Sequence, residues 1–341
     1  MNSVFVSHPQ NLLEHYFGAK AIDALKAIAT VQFNPERREL SISELIDAAM
    51  HSDAIIAYRQ TSAPRALFSA LPNLAAFVRC AVDISTIDVA AASEQGILVT
   101  QASAGFVPAV SEWVIGAMLD LARATSSYAA SYHRGVAPIP AMGRELRGAV
   151  LGIIGYGRIS RYLCQLAQAF GMRVLVSDPY VAIEPGAVRQ VELPALLHES
   201  DFVVCLAISN AETANMMDAK AFAAMKPGAC FINTARGELV DEAALLAALE
   251  SGHLAGCALD VGRARDQMPS LSLASHPRVI ATPHVGGLTP GAIEHQALET
   301  VSQVKTLFQG EIPVGAVNAG HARRLGKWRC DSLAGAPGAA C

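Results

Sequence analysis

The sequence predicts an α/β protein of two domains, each a parallel sheet with helices on both faces. Three observations predict it. Short apolar strands alternate with helical segments along most of the chain, as in strands joined by crossover helices. A strand, a glycine turn and a helix meet at mid-chain, in LGIIGYGRIS at 151–160, so something of domain size precedes them. The 341 residues suffice for two full cores.

The elements follow in order. Val4-Phe5-Val6 is the first strand, and helical spacing covers 21–29 and 42–50. Ala54-Ile55-Ile56-Ala57-Tyr58, Ala75-Ala76-Phe77-Val78 and Ile97-Leu98-Val99 are further strands, the last preceded by a helical stretch at 89–94. Residues 106–124 form a long amphipathic helix with Val110, Trp113, Val114, Ala117, Met118 and Leu121 at helical spacing. Its apolar face is wide enough to pack between domains or against a second subunit. The apolar run at 150–154 enters the tight turn Gly155-Tyr156-Gly157. The helix after it places Ile159, Leu163, Leu166 and Phe170 on one face and ends at Gly171. The next strand stops at Asp178. Strands at 202–206, 230–232, 256–259 and 279–281 follow, with a helix running from the cap Asp241 to Gly252. A helix at 293–308 is expected to cross back to the first domain. Beyond Asn318 periodicity fades, and the chain is expected to be partly disordered or to lie on the surface. The expected division is 1–102 with 292–320, then 103–291, with a tail at 321–341.

Composition excludes several classes. The chain is 52% hydrophobic and 16% charged, with net charge −4 and no long basic run, so nucleic acid is not expected as a partner. The apolar stretch 106–121 contains Glu112 and Asp120 and is too short to span a bilayer. With no basic region followed by an apolar core in MNSVFVSHPQ, no secretion signal is expected. Seven cysteines, odd in number and without a CxxC pair, read as reduced core thiols in a cytoplasm. The ten histidines are dispersed without HxxxH, and no metal site is expected.

The chemistry gathers at strand ends. A strand, glycine turn and helix open a dinucleotide-binding βαβ unit. The glycines allow a sharp turn and close approach to a pyrophosphate, which the free N–H groups of the helix start would hold. Gly155, Tyr156, Gly157, Arg158 and Ile159 are the residues of that cradle. Ser160 occupies the third small position, which still permits close helix–strand packing. Asp178 falls about 20 residues past the turn, where an acid meets the adenosine ribose hydroxyls and repels a 2′-phosphate. The pattern favours NAD; otherwise Asp178 only opens the Asp178-Pro179 turn. In an open α/β sheet ligands bind beyond the carboxyl ends of strands. Asn233-Thr234-Ala235-Arg236-Gly237 offers an arginine that can fork onto a carboxylate. Asp260 can accept from a nicotinamide carboxamide or cap a turn. Thr282-Pro283-His284-Val285-Gly286-Gly287 places a histidine at a strand end as proton donor and acceptor.

Together GIIGYGRIS, SDPY, MKPGACFINTARGELVDEAAL, ALDV and TPHVGG, in this order and spacing, resemble the cofactor domain of the D-isomer-specific 2-hydroxyacid dehydrogenases. The resemblance covers most of the chain, since residues 1–100 look like the family's substrate domain. It implies two Rossmann-like domains, a substrate domain built from both chain ends, and a homodimer formed through the cofactor domains. It also implies roles. Arg236 would bind the substrate carboxylate and polarise the keto oxygen. His284 would protonate that oxygen as hydride arrives from NADH. Thr234, Asp260 and Gly287 would lie around the cofactor. Arg59 sits where phosphoglycerate-type relatives place an arginine for a distal anion.

Two departures stand out. The family has a glutamate, followed by proline, five residues after the aspartate of ALDV, paired with the histidine; a carboxylate there favours imidazolium. Here Arg265 holds that position, and Asp266 is expected to form the dyad with His284 instead, with Gln267 or solvent as the alternative. The substrate loop reads Ala81-Val82-Asp83-Ile84, with Asp83 in place of a glycine. Val82 and Asp83 are expected at the substrate carboxylate. Asp83 there would add a negative charge and restrict the backbone, or else stand outward as a solvated turn residue. The expected function is an NAD-dependent dehydrogenase of a small 2-hydroxy acid of the 3-phosphoglycerate, hydroxypyruvate or glyoxylate type. The alternative is an NAD(H)-sensing protein on the same scaffold with catalysis lost.

Overall fold

The computed structural model describes residues 2–184 and 186–328. The chain forms two compact units, Met1–Gly105 with Pro290–Cys341, and Phe106–Thr289.

The first unit runs β1 (Ser3–Val6), α1 (Leu13–Tyr16), α2 (Ala19–Lys26), β2 (Thr30–Phe33), α3 (Ile42–Ala49), β3 (Ala54–Ala57), α4 (Arg65–Ala70), β4 (Ala76–Arg79), α5 (Val89–Glu94) and β5 (Leu98–Gln101). The strands pair in parallel in the order β2-β1-β3-β4-β5. β3 and β4 are buried along their whole length, which is why they read as continuous apolar runs. β2 lies at an edge with Thr30 and Gln32 less buried than their neighbours, and it escapes the apolar-run reading. Ser41 and Glu44 form a capping box that starts α3.

The second unit runs α6 (Val107–Arg123), α7 (Thr125–His133), β6 (Val150–Ile154), α8 (Arg158–Ala169), β7 (Arg173–Ser177), β8 (Val188–Gln190), α9 (Leu193–Glu199), β9 (Phe202–Cys205), α10 (Ala219–Ala224), β10 (Cys230–Asn233), α11 (Glu242–Glu250), β11 (Gly256–Leu259), α12 (Leu271–Ala274) and β12 (Val279–Ala281). Its parallel sheet has the order β12-β11-β10-β9-β6-β7-β8. The order reverses at β6, the switch point at which ligands bind in such sheets. Gly152 in β6 admits α9, since a Cβ there would stand 2.3 Å from Ser200 Oγ. α8 buries Ser160, Leu163, Cys164 and Ala167, and Phe170 is exposed. The buried face is therefore offset from the large-residue stripe that the sequence suggested. Small side chains let α8 lie close on the sheet.

α13 (Pro290–Phe308) returns to the first unit and buries Ala297, Val301, Val304 and Leu307 in its core. Residues 319–328 do more than lie on that unit's surface. Leu325 and Trp328 are buried, Trp328 packs edge-on to Phe308, and its indole N–H donates to Asn2 Oδ1. Arg324 donates to the carbonyls of Leu71 and Leu74. The rest of the expected tail, 329–341, lies outside the described residues.

Cys80, Cys164, Cys205, Cys230 and Cys257 are buried free thiols, and burial pushes Cys80 and Cys205 up to about 12. Cys330 and Cys341 lie outside the described residues. Among the described residues no helix is long and apolar enough to cross a membrane.

Candidate active site and cofactor cradle

β6 delivers the chain into Gly155, whose φ of +91° belongs to the region glycine favours. A Cβ at Gly155 would also meet the Leu206 carbonyl oxygen at 2.9 Å. Gly157 caps α8 without any side-chain hydrogen bond, and the space its Cβ would enter is open. The first N–H groups of α8, those of Arg158 and Ile159 among them, are thus left for an anion. Ser160 fits the third small position: its buried hydroxyl donates to the Gly155 carbonyl at 2.8 Å and closes the turn. Asp178, at the end of β7, accepts from the N–H of Tyr156 at 2.7 Å and of Tyr180 at 2.8 Å. A carboxylate has about four acceptor sites, so capacity for ribose hydroxyls is left.

The loop after β10 is built on Asn233. Its buried side chain accepts from the Ala235 N–H and donates to the Arg236 carbonyl, at 3.0 and 2.9 Å. The Thr234 hydroxyl is buried without a hydrogen-bond partner, a state that costs free energy until a ligand satisfies it. Arg236 is half-buried, and its guanidinium donates to the Ala235 carbonyl. Gly237 then packs against Gly262, where a Cβ would stand 2.2 Å from the Gly262 carbonyl carbon. Gly262 in turn packs against Pro269, with 2.5 Å from a Cβ to Cα. These contacts lock the loops after β10 and β11 together.

Asp260, buried at the end of β11, holds the loop after β12. Its Oδ1 accepts from the Thr282 hydroxyl at 2.6 Å and the Val285 N–H at 2.8 Å, and its Oδ2 from the Gly286 N–H at 2.7 Å. Of the two uses the sequence allowed, the structure displays the turn-holding one. Gly287 packs on Phe106. His284 is half-buried with φ +56°, a strained conformation of the kind found at functional sites.

The His284 ring meets Asp266 at its main chain: Nδ1 lies 3.1 Å from the Asp266 carbonyl oxygen. The reason is local: Asp266 and Gln267 are both left-handed, with φ of 58° and 57°, and bonds from Gly262 N–H to Gln267 O and from Ala264 N–H to Met268 O close the loop. That turn aims the carbonyl at the imidazole. A carbonyl only accepts, so in this contact Nδ1 carries the hydrogen and Nε2 is left as the other ring nitrogen.

In the first unit, the Arg59 guanidinium lies over the Tyr16 ring, 5.4 Å from its centre. Val82 and Asp83 are half-buried. Asp83 Oδ1 accepts from the Ser85 N–H at 2.8 Å, closing a turn in its own loop. Sequence reasoning missed two buried groups beside these loops. Arg79 is fully buried and donates to the carbonyls of Tyr58 and Thr61 and to the Thr86 hydroxyl; burial lowers it to about 10. His8 is buried against Phe17 and Tyr58, and burial, then the Arg79 charge, push it down to about 3. The signal in the sequence was Arg79 ending the apolar strand β4 and the polar pair Ser7-His8 just past the end of β1.

The turn at 155–159, Asp178 and the orphaned Thr234 hydroxyl define a dinucleotide-binding α/β domain. Residues 115–286 match the family model of the D-isomer specific 2-hydroxyacid dehydrogenase NAD-binding domain. The chain is 33% identical to the (S)-sulfolactate dehydrogenase of Chromohalobacter salexigens, over 86% of this chain and 96% of that protein. It is 33% identical to a D-3-phosphoglycerate dehydrogenase of Synechocystis over 87% of this chain, which spans about half (54%) of that protein. Solved structures agree. The TT0316 protein of Thermus thermophilus superposes with a TM-score of 0.84 at 28% identity, over 92% of this chain and 99% of that one. The Aquifex aeolicus D-lactate dehydrogenase, solved with NAD and lactic acid, gives 0.75 at 27% identity, over 94% and 97%. The chain belongs to the D-isomer specific 2-hydroxyacid dehydrogenase family, and its cofactor is NAD.

Proposed function

We propose that the protein interconverts a small D-2-hydroxy acid and its 2-keto acid, with Arg236 binding the carboxylate and His284 as acid/base. The observation that carries this reading is the strained His284, whose Nδ1 is committed to the Asp266 carbonyl so that Nε2 faces its chemistry with one defined role. Bound NADH supplies the hydride. Nε2 of His284 gives its proton to the keto oxygen and takes it back in the oxidative direction. The Arg236 guanidinium holds the carboxylate and draws electron density from the carbonyl. The turn at 155–159 holds the pyrophosphate, and Asp178 the adenosine ribose. Thr234 and Gly287 lie around the nicotinamide half, and Asp260 serves it by fixing the loop after β12. In the first unit, Val82 and Asp83 are the residues we assign to the substrate.

Two of the named relatives act on acids with a second anion, a sulfonate or a phosphate. Arg59 is the group we assign to such an anion. The substrate panel is therefore 3-phosphoglycerate, sulfolactate, hydroxypyruvate and glyoxylate, each with its redox partner. We also propose a homodimer. Tyr132 near the end of α7 and Val136, Ile139 and Met142 in the segment after it are exposed, and exposed apolar patches mark contact surfaces.

The test is NADH oxidation with this panel, after cofactor binding is verified by fluorescence. The wild type turns over at least one acid. His284→Asn and Arg236→Gln retain NADH binding and lose about a hundredfold or more in kcat/KM. Intact NADH binding with no turnover across the panel refutes the enzyme and leaves an NAD(H)-binding sensor.

A further inference from the structure

The strand order places β7 and β9 on either side of β6. The loops that follow those two strands therefore flank the glycine turn. The loop after β7 carries Asp178 and Tyr180. The loop after β9 carries Ile208, Asn210 and Glu212. The two loops are joined: the Tyr180 hydroxyl donates to Glu212 Oε2 at 2.5 Å.

Both ends of this link are held. The Tyr180 N–H donates to Asp178 Oδ1, and Asp178 Oδ2 accepts from the Tyr156 N–H in the turn itself. The N–H groups of Glu212 and Thr213 donate to Asn210 Oδ1 at 2.9 and 3.0 Å, and the Thr213 hydroxyl donates to the Ile208 carbonyl at 2.6 Å. A bonded path thus runs from the glycine turn through Asp178 and Tyr180 to Glu212. It fixes two carboxylates beside the end of the cradle that takes adenosine. The Tyr180 phenol responds to them: its hydrogen bond to Glu212, the Glu212 charge, burial and the Asp178 charge all raise it, so it stays a donor.

The basic groups at the start of the helix that follows the turn are Arg158 and Arg161, the latter stacked 4.4 Å over the Tyr156 ring. Both favour a phosphate. Asp178 and Glu212 are the carboxylates that the two flanking loops set against them.

We propose that Glu212 is a second determinant of cofactor choice, acting with Asp178 to disfavour a dinucleotide that carries a 2′-phosphate, and that Tyr180 is its positioning residue. The inference rests on Asp178 marking the adenosine end. Removing Asp178 alone should then leave the preference only partly relaxed.

Fluorescence titration with NADH and with NADPH tests this on four variants: Asp178→Ser, Glu212→Gln, Tyr180→Phe and the Asp178→Ser/Glu212→Gln pair. In the Asp178→Ser background, Glu212→Gln should tighten NADPH about tenfold and change NADH by less than about twofold, as expected for removing one like charge at a partly exposed site. Tyr180→Phe should shift the ratio in the same direction by less, and added salt should shrink every shift. An NADPH/NADH ratio that Glu212→Gln leaves unchanged in both backgrounds overturns the proposal. So does an equal weakening of both cofactors, which is the signature of a merely structural loop residue. A wild type that binds neither would refute the cofactor reading itself.

Discussion

Replacing Asp260 with alanine should separate cofactor binding from catalysis. The buried carboxylate accepts from the Thr282 hydroxyl and from the N–H groups of Val285 and Gly286. Hydrogen bonds to a charged group contribute about 1.5–3 kcal/mol each. The three are not additive, because the half-buried loop can turn its freed N–H groups to water. A net loss of about 3–5 kcal/mol is expected. Holding His284 at positive φ costs about 1–3 kcal/mol, so the loss exceeds the strain and the loop relaxes. The imidazole then leaves the Asp266 carbonyl. For a unit of this size the melting temperature should fall by about 6–20 °C. The kcat for the acid that the wild type turns over should drop about a hundredfold or more. NADH affinity, which we assign chiefly to the turn after β6 and to Asp178, should change by less than about fivefold. Asp260→Asn keeps one acceptor oxygen and should fall between. Melting by differential scanning fluorimetry, NADH titration and steady-state turnover supply the three readouts. An alanine variant that melts with the wild type and retains its kcat would refute the reasoning.

The two glycines of the cradle should fail differently. Gly157→Val meets open space and should fold with a near-native melting temperature while losing NADH affinity; Gly155→Val, at φ +91° and against the Leu206 carbonyl, should not accumulate as folded protein, as circular dichroism would show. Acid should release two strand starts. Burial raises Asp53 and Asp201, but bonds from Lys327 and the Ser3 N–H, and from Lys226 and the Val150 N–H, outweigh it and hold both below the usual carboxylate range. The stability they give is therefore present above the ordinary carboxyl value of about 3.9 and lost as pH falls through their lower folded values. Denaturant midpoints measured from pH 7 down to about 3 should fall less steeply in Asp53→Asn and Asp201→Asn than in the wild type.

What the sequence made legible follows from burial. β3, β4, β6 and β9 are buried on both faces and stand out as apolar runs. The edge strands β2 and β8 expose residues along one side or most of their length, and nothing in Thr30–Phe33 or Val188–Gln190 marks a strand without its neighbour. The cradle was legible because its glycines answer local geometric demands. Arg236 and His284 were legible through their strand-end positions. The Asp266 link was not, because the direction of a carbonyl depends on two successive left-handed residues, which side-chain identity does not reveal. Arg79 and His8 were hidden for another reason: burying them depends on partners from other elements, Tyr58 and Thr61 for one and Phe17 and Tyr58 for the other.

The first unit draws α13 and Trp328 from late in the chain, whereas the second unit is one continuous segment. During synthesis this imposes an order. The dinucleotide-binding unit can close as soon as residue 289 has left the ribosome. The five-stranded sheet made first must wait, with the face that α13 covers still wetted, until the last segment arrives. A ribosome stalled just once residue 289 has emerged from it would present a nascent chain able to bind NADH and prone to capture by chaperones through its own beginning.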